Sequence, residues 1–311
     1  MTLFDNEFEQ QAIDRIVKFA KIAKAMGYEV AVGFSGGKDS QVVYDLCKRS
    51  GIKFQAYFNH CFESATTLQF IREHYPEVTW RRDHNFGFIE NIWRNHNSIL
   101  PTSEIAYCCE DYKHNPKYVD SASIVGVRAA ENNSRKKRKV FEAKNKTTVK
   151  RNTALFSEFF QDQCTGTGTG SVIQLKPIID WADDEVWDYI KKHGLPVNPE
   201  YKTCKRIGCV VCPKANFNSN YKALLEHPKL IDAFIKAREK RSDIGWYFRA
   251  EKKDYIDNKV EYICRWLNHS FRPFTKRQRL LYKMVLDNYL QSKKNKDLGV
   301  SLDRLYKTVH K

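Results

Sequence analysis

The chain has 311 residues, 42% of them hydrophobic, enough for one α/β domain of about 200 residues and a smaller appendage. With 53 Lys+Arg against 37 Asp+Glu its formal net charge is +16, which favours polyanionic partners, nucleic acid first and a nucleotide second. No run of about 18 apolar residues occurs, which argues against a membrane span and a membrane partner. The opening Met1-Thr2-Leu3-Phe4-Asp5 lacks the basic and apolar regions of a secretory signal, so a cytoplasmic protein is expected. Its nine cysteines then argue against a disulfide framework.

Residues 6–26 read as an amphipathic helix, with Ile13, Ile16, Val17, Ala20 and Ala23 as its apolar stripe. Residues 28–34 read as a buried parallel strand and 41–47 as a helix with one apolar face. Between them stands Ser35-Gly36-Gly37-Lys38-Asp39-Ser40. Strand, glycine turn and helix together aim backbone N–H groups at an anion, and the helix N-terminus adds about half a positive charge. Two glycines let the backbone approach a phosphate, two serines can donate hydroxyl hydrogen bonds, and Lys38 adds a mobile charge. This is no Walker A loop: Val32 stands where that motif needs its first glycine, and Asp39 where it needs Ser or Thr.

Farther on, 54–58 reads as a strand, 65–75 as a helix stopped at Pro76, and 78–80 as a short strand. That alternation predicts a doubly wound parallel sheet, whose ligands sit at the carboxyl ends of its strands. Residues 122–128 read as another strand, ending in Arg128. Residues 135–139 are uninterrupted positive charge, continued by Lys144, Lys146, Lys150 and Arg151, and 165–170 is a Thr-Gly repeat. The stretch 129–170 is therefore expected to be a basic, flexible insertion. Residues 171–179 return as a strand, and 183–192 as a helix with Val186, Trp187 and Ile190 inward. Beyond Asn216 the pattern is helical and basic, over 221–240 and 275–290. The expected organisation is a nucleotide-binding domain over 1–215 and a helical basic region over 216–311.

The cysteines fall unevenly. Cys108-Cys109 and Cys209-x-x-Cys212-Pro213 are clustered, whereas Cys47, Cys61, Cys164, Cys204 and Cys264 are scattered, and scattered singles mostly pack as small apolar residues. A C-x-x-C turn points two thiolates at one centre. Adjacent cysteines chelate one zinc awkwardly but can reach two corners of a cubane, so the set suits a [4Fe–4S] cluster better than zinc. Cys204 reads equally as a sulfur carrier, a spare ligand or a buried thiol.

The turn at 35–40 resembles the PP-loop of the N-type ATP pyrophosphatases and of the sulfonucleotide reductases that act on PAPS or APS. The likeness extends in order over residues 28–216. Cys108-Cys109 followed by Lys113 and Pro116, then Cys209 and Cys212, resembles the cluster-bearing APS reductases. Residues 126–131 resemble the family's glycine–arginine–glutamate segment near the substrate, and 177–187 the segment that closes its sheet. The resemblance implies an adenine nucleotide alpha-hydrolase-like fold and an enzyme that binds an adenine nucleotide through Ser35, Gly36, Gly37, Lys38, Asp39, Ser40 and Arg128. Lys38 and Asp39 are the candidate catalytic residues, and Cys108, Cys109, Cys209 and Cys212 the candidate metal ligands.

The sulfite-forming reductases use a cysteine in a C-terminal glutamate–cysteine–glycine segment. Here the last cysteine is Cys264, within Tyr262-Ile263-Cys264-Arg265-Trp266. The closer resemblance is to the ATP pyrophosphatase of DNA phosphorothioation systems. It implies ATP with Mg²⁺ as substrate, Asp39 as a candidate Mg²⁺ ligand, sulfur from a cysteine desulfurase or another donor, and a nucleic-acid acceptor. Aromatics among the C-terminal bases (Trp246, Tyr247, Phe248, Arg249, Tyr262, Arg265, Trp266, Phe271, Arg272, Phe274, Lys276 and Arg277) fit either a nucleic-acid groove or a helical core. The rival expectations are a PAPS or APS reductase and a non-catalytic nucleic-acid-binding module.

Overall fold

A computed structural model describes residues 3–81, 86–114, 122–131, 133, 135–143, 163–165, 172–241, 259–268 and 274–294. Two compact units emerge. The first comprises Met1–His60, Thr66–Asp83 and Asp111–Ile207; the second comprises Cys61–Ala65, His84–Glu110 and Gly208–Lys311. The second unit thus takes in 208–215 and two upstream segments, while the helices expected beyond 216 begin at Phe217. Among the described residues no helix is long and apolar enough to cross a membrane.

The first unit is built on a seven-stranded sheet: β1 (Val30–Phe34), β2 (Gln55–Asn59), β3 (Thr79–Arg81), β4 (Ala122–Val125), β5 (Phe141–Ala143), β6 (Gln163–Thr165) and β7 (Ile173–Leu175), in the order β3-β2-β1-β4-β7-β5-β6. β3 through β7 in that order are parallel, whereas β5 runs antiparallel to β7 and parallel to β6. The chain winds outward from β1 to β2 and β3, then returns to β4 on the other side of β1. The carboxyl ends of β1 and β4 therefore flank the point where strand order reverses, the usual ligand position in such sheets.

The doubly wound sheet is as expected, with local differences. The stretch 129–170 adds β5 and β6 to the sheet; its residues 132, 134, 144–162 and 166–170 lie outside the described ones. Buried Glu142 on β5 pairs with buried Lys176 at 2.9 Å and with Arg138 at 2.5 Å. Arg135 pairs with Glu131, so two of the five charges at 135–139 are spent on the fold. β7 is shorter than 171–179, because the chain turns at once into Pro177, which has no N–H for the ladder.

Helix α1 (Leu3–Ala25) buries Ala12, Ile16, Phe19, Ile22 and Ala23, a stripe rotated from the expected one; Ile13, Val17 and Ala20 are half-buried. Helix α2 (Lys38–Arg49) starts at the lysine, three residues before the apolar pattern begins, and α3 spans Ala65–His74. Of the remaining helices, α4 (Phe88–Arg94), α5 (Tyr107–Cys109), α7 (Phe217–Glu226), α8 (Lys229–Glu239), α9 (Lys259–Leu267) and α10 (Lys276–Lys294) lie in the second unit, and α6 (Asp183–Lys192) in the first. The single helix expected over 221–240 is two, because Pro228 cannot continue α7. In α6 the inward residues are Val186, Tyr189 and Ile190; Trp187 is only half-buried.

Buried Glu9 on α1 accepts hydrogen bonds from Arg49 at 3.0 Å and Lys192 at 2.7 Å and lies 3.2 Å from the His193 ring nitrogen, joining α1, α2 and the end of α6. Burial alone would raise its pKa, but Lys192, Arg49 and His193 outweigh burial and hold the carboxyl below 4.5. A lowered folded-state pKa contributes stability above the unfolded value and loses it as the pH falls through the folded one. Glu9→Gln is expected to cost about 1–2 kcal/mol at pH 7, the low end for a buried pair because its partners are partly solvated. Urea unfolding should show this gap narrowing as the pH drops below 4.5; a gap constant with pH would mean that packing, not charge, is what the substitution removes.

The end of β4 presses on the start of α2. A Cβ on Gly126 would sit 2.6 Å from the Asp39 carbonyl oxygen and 2.9 Å from the Ser40 nitrogen, both backbone atoms, whereas one on Gly208 would meet nothing within 4 Å. Gly126→Ala should therefore cost about 1–3 kcal/mol by overpacking, and Gly208→Ala little. Equal urea midpoints for the two variants would show that β4 and α2 are not held in this contact.

Candidate functional site

The glycine turn is held from inside. Gly36 has φ +72°, and its Cβ position would fall 3.0 Å from Ile71, so glycine is required both for conformation and for space. The Ser40 hydroxyl donates to the Gly37 carbonyl at 2.8 Å and accepts from the Ser35 N–H and hydroxyl, each at 3.1 Å. The Gly36 carbonyl accepts from Gln41 and from fully buried Asn198, each at 3.2 Å. Gly37 caps α2 without a side-chain hydrogen bond, which leaves the first amides of the helix to other partners.

One of those partners is a tyrosine. The Lys38 N–H donates to the Tyr201 hydroxyl at 2.8 Å. Tyr201 lies in a short 3₁₀ turn (Pro199–Lys202) capped by Asn198, whose amide also donates to Thr67 at 3.2 Å. Burial pushes the Tyr201 phenol up to about 12, and its ring meets Trp187 edge-on at 5.0 Å.

Two cations and two carboxylates close the site. Buried Lys38 reaches Asp183 at 2.8 Å and Asp39 at 3.3 Å. Arg128, 2% exposed, donates to Asp39 at 2.5 Å, to Asp183 at 2.7 Å and to the Trp181 carbonyl at 3.3 Å. Burial works against the Arg128 charge, but Asp39 and Asp183 more than offset it and raise its pKa. The hydrogen bond from Lys38, then that from Arg128, holds Asp183 below the usual carboxylate range. All seven residues expected at the nucleotide site, Ser35 to Ser40 and Arg128, thus gather at the carboxyl ends of β1 and β4.

Three residues of this site were not anticipated. Asp183 was legible only as an acid at a helix start, Trp187 was expected in the core, and nothing marked Tyr201, whose role follows from the turn that Asn198 ties to Gly36.

The second unit brings the cysteines together. Phe62 meets Phe88 at 5.1 Å and Phe234 at 6.2 Å, and Phe234 meets Trp266 at 4.9 Å. This core fixes the short run at 61–63, which pairs with the C-x-x-C turn: Glu63 bridges Cys209 antiparallel, and the Val210 N–H donates to the Phe62 carbonyl at 2.8 Å. Asn220, 1% exposed, clamps the other end, accepting from the Cys212 N–H at 3.0 Å and donating to its carbonyl at 2.9 Å. The Cys108 thiol is raised first by its hydrogen bond with Cys109, then by burial, then by the charges of Cys109, Cys209 and Cys212. The four expected ligands therefore share one neighbourhood. Among the described residues no group of three or more His, Cys, Asp or Glu side chains converges as a single metal ion would require.

Of the scattered cysteines, Cys47, Cys61 and Cys264 are buried and Cys204 is half-buried. Cys61 also touches the cysteine doublet, its thiol 3.8 Å from the Cys108 carbonyl oxygen. The C-terminal aromatics Tyr262, Trp266 and Phe274 are buried, and the Trp266 ring donates to the Pro101 carbonyl at 2.5 Å, so these three pack the unit rather than face a groove. Trp246, Tyr247, Phe248, Arg249, Phe271 and Arg272 lie outside the described residues.

An uncharacterised protein of Methanocaldococcus jannaschii is 26% identical over 241 residues, 74% of this chain; the aligned stretch spans only 52% of that relative's length. An adenosine 5′-phosphosulfate reductase of Staphylococcus epidermidis is 23% identical over 198 residues, 62% of this chain and 73% of that one. A phosphoadenylyl-sulfate reductase structure from Candida auris aligns with TM-score 0.43 at 13% identity, covering 67% of this chain and 96% of that one. Residues 29–215 match the phosphoadenosine phosphosulfate reductase domain family, and the chain belongs to that family.

Proposed function

We propose that the protein is an ATP-using sulfur-transfer enzyme. The nucleotide's phosphates bind at residues 35–40, a [4Fe–4S] cluster sits on Cys108, Cys109, Cys209 and Cys212, and nucleic acid is the acceptor. The observation that carries this reading is the pair of buried cations, Lys38 and Arg128, at the end of a glycine turn that opens a helix. Both cations are paired with Asp39 and Asp183, and a site that gathers two buried cations beside helix amides is suited to a polyanionic ligand that takes over such a pairing.

ATP activates an oxygen that is otherwise a poor leaving group. The acceptor oxygen bonds to the α-phosphorus, the bond to the β-phosphate breaks, and pyrophosphate departs; a sulfur nucleophile from a donor such as a cysteine desulfurase then displaces AMP. Lys38 and the turn amides stabilise charge on the departing pyrophosphate. Asp39, beside the turn, would offer a carboxylate oxygen to Mg²⁺ on the bound phosphates. The doublet and the C-x-x-C turn suit the separate corners of a cubane better than zinc, because adjacent cysteines chelate one zinc awkwardly. When bound, the cluster supplies iron sites that hold sulfur or pass electrons. The nucleic-acid reading is supported by exposed Lys276, Arg277, Arg279 and Lys283 on the first turns of α10, while nearby Phe274 is buried. Such a face contacts phosphates rather than stacking on bases.

Reduction of a sulfonucleotide is the second reading, favoured by the likeness to adenosine 5′-phosphosulfate reductases over 73% of the staphylococcal enzyme's length. Product analysis on anaerobically purified protein separates the two. Pyrophosphate released from ATP with nucleic acid and a sulfur donor present is the expected result, falling about 10²–10³-fold in Lys38→Ala. Sulfite from APS or PAPS with a thiol reductant, and no turnover of ATP, would overturn the transfer reading.

Metal analysis tests the cysteines separately. Iron and labile sulfide are each expected at about four per chain, with a brown chromophore lost in a Cys109→Ser, Cys212→Ser double variant. Stoichiometric zinc in their place would remove the cluster.

A further inference from the structure

The positions a phosphate tail needs at this turn are already filled by groups of the chain. Asp183 holds both cations, Lys38 at 2.8 Å and Arg128 at 2.7 Å, through the same carboxylate oxygen. The Tyr201 hydroxyl takes the Lys38 N–H, the amide a ligand oxygen would use at the helix start. With Asp39 counted, two cations face two carboxylates, so the site as it stands is neutral.

The two carboxylates are not equivalent. The Asp39 side chain is 19% exposed and lies on α2 beside the turn itself; the Asp183 side chain is 64% exposed at the first residue of α6. Asp183 already stands largely in water and can leave the cations with little rearrangement around it, whereas Asp39 is packed beside the turn. The α6 start does not rely on it, because the Ala182 N–H is already taken by the Glu185 carboxylate at 2.5 Å. Tyr201 could likewise give up one hydrogen bond while its ring stays against Trp187.

We propose that Asp183 and Tyr201 are specificity-determining residues of the nucleotide site, an internal anion and an internal hydroxyl that the ligand must displace. The inference rests on the nucleotide-binding reading above. Asp183 is tethered beside the cations, so it competes at the high effective concentration of an intramolecular group. One terminal phosphate has oxygens on a single tetrahedral centre, too short a span to take both cations and the amide together. A pyrophosphate or phosphosulfate tail spreads its charge over enough oxygens to engage Lys38, Arg128 and the Lys38 N–H together. The site therefore selects ligands by the reach of the tail, the number and span of its oxygens, and admits ATP, APS or PAPS over AMP.

Calorimetric titration of the full chain, with a chelator present and with inorganic pyrophosphate, ATP and AMP as probes, tests this. Asp183→Asn is expected to bind pyrophosphate and ATP about tenfold more tightly, and to gain still more for AMP, so that the preference for ATP over AMP narrows. Tyr201→Phe, which keeps the ring, is expected to tighten pyrophosphate about threefold. A merely structural role for either residue would weaken binding, so unchanged or weaker binding in both variants, with melting temperatures near that of the parent, overturns the inference and leaves the nucleotide reading intact. If neither the parent nor the folded variants bind any probe, the nucleotide reading fails and the inference with it.

Discussion

The site depends on how closely the end of β4 approaches the first turn of α2. At Gly126 the two backbones are so near that a methyl group would overlap the Asp39 carbonyl. Two residues later Arg128 reaches back along that contact to the Asp39 carboxylate. The approach sets where Arg128 stands, and Arg128 in turn fixes Asp39 and Asp183. Remove the close contact and the glycine turn would still form, since its hydrogen bonds are local, but it would face a different arrangement of charge. A local motif becomes a site through a strand contributed from 89 residues away.

Electrostatics explain why the network is built in this way. The N-terminus of α2 already carries partial positive charge, and Lys38 and Arg128 are buried beside it. Such an accumulation is tolerated only with counter-charges at hydrogen-bond distance. One is permanent, Asp39, in the turn. The other comes from a separate helix and stays largely in water. Stability and ligand access make opposed demands on the same charges, and dividing the counter-ions between a fixed and a movable carboxylate meets both.

Much of this was legible in the chain. The strand–glycine–helix unit, the parallel sheet and the gathering of Arg128 with residues 35–40 follow from local pattern and from the ordered resemblance. What was not legible depends on tertiary partners. The α1 stripe turns toward Ala12 and Phe19 because burial follows the surfaces the helix meets, which periodicity does not specify. The basic run at 135–139 looked like solvated charge because Glu131 and Glu142, which neutralise part of it, carry no mark of their partners. Trp187 was assigned to the core by its spacing, yet it lines the site through Tyr201. Tyr201 sits in a four-residue turn without periodicity, capped by Asn198, and its place is set by that buried side-chain amide on the Gly36 carbonyl.

The cysteines carry the same lesson at larger scale. The family match ends at residue 215, so the C-x-x-C turn looks like the last element of the nucleotide domain. In space it belongs with 61–65, 84–110 and the C-terminal helices. Asn220 on α7 clamps Cys212 and also donates to the Leu267 carbonyl at the end of α9, while Trp266 on α9 donates to Pro101, seven residues before Cys108. The helices that follow the family domain therefore grip both cysteine segments from outside it. Two cysteine segments a hundred positions apart need such a frame to lie together, because neither a doublet nor a C-x-x-C turn can hold its own spacing to the other. The burial of Trp266 has its explanation here: its ring holds the segment that leads to Cys108.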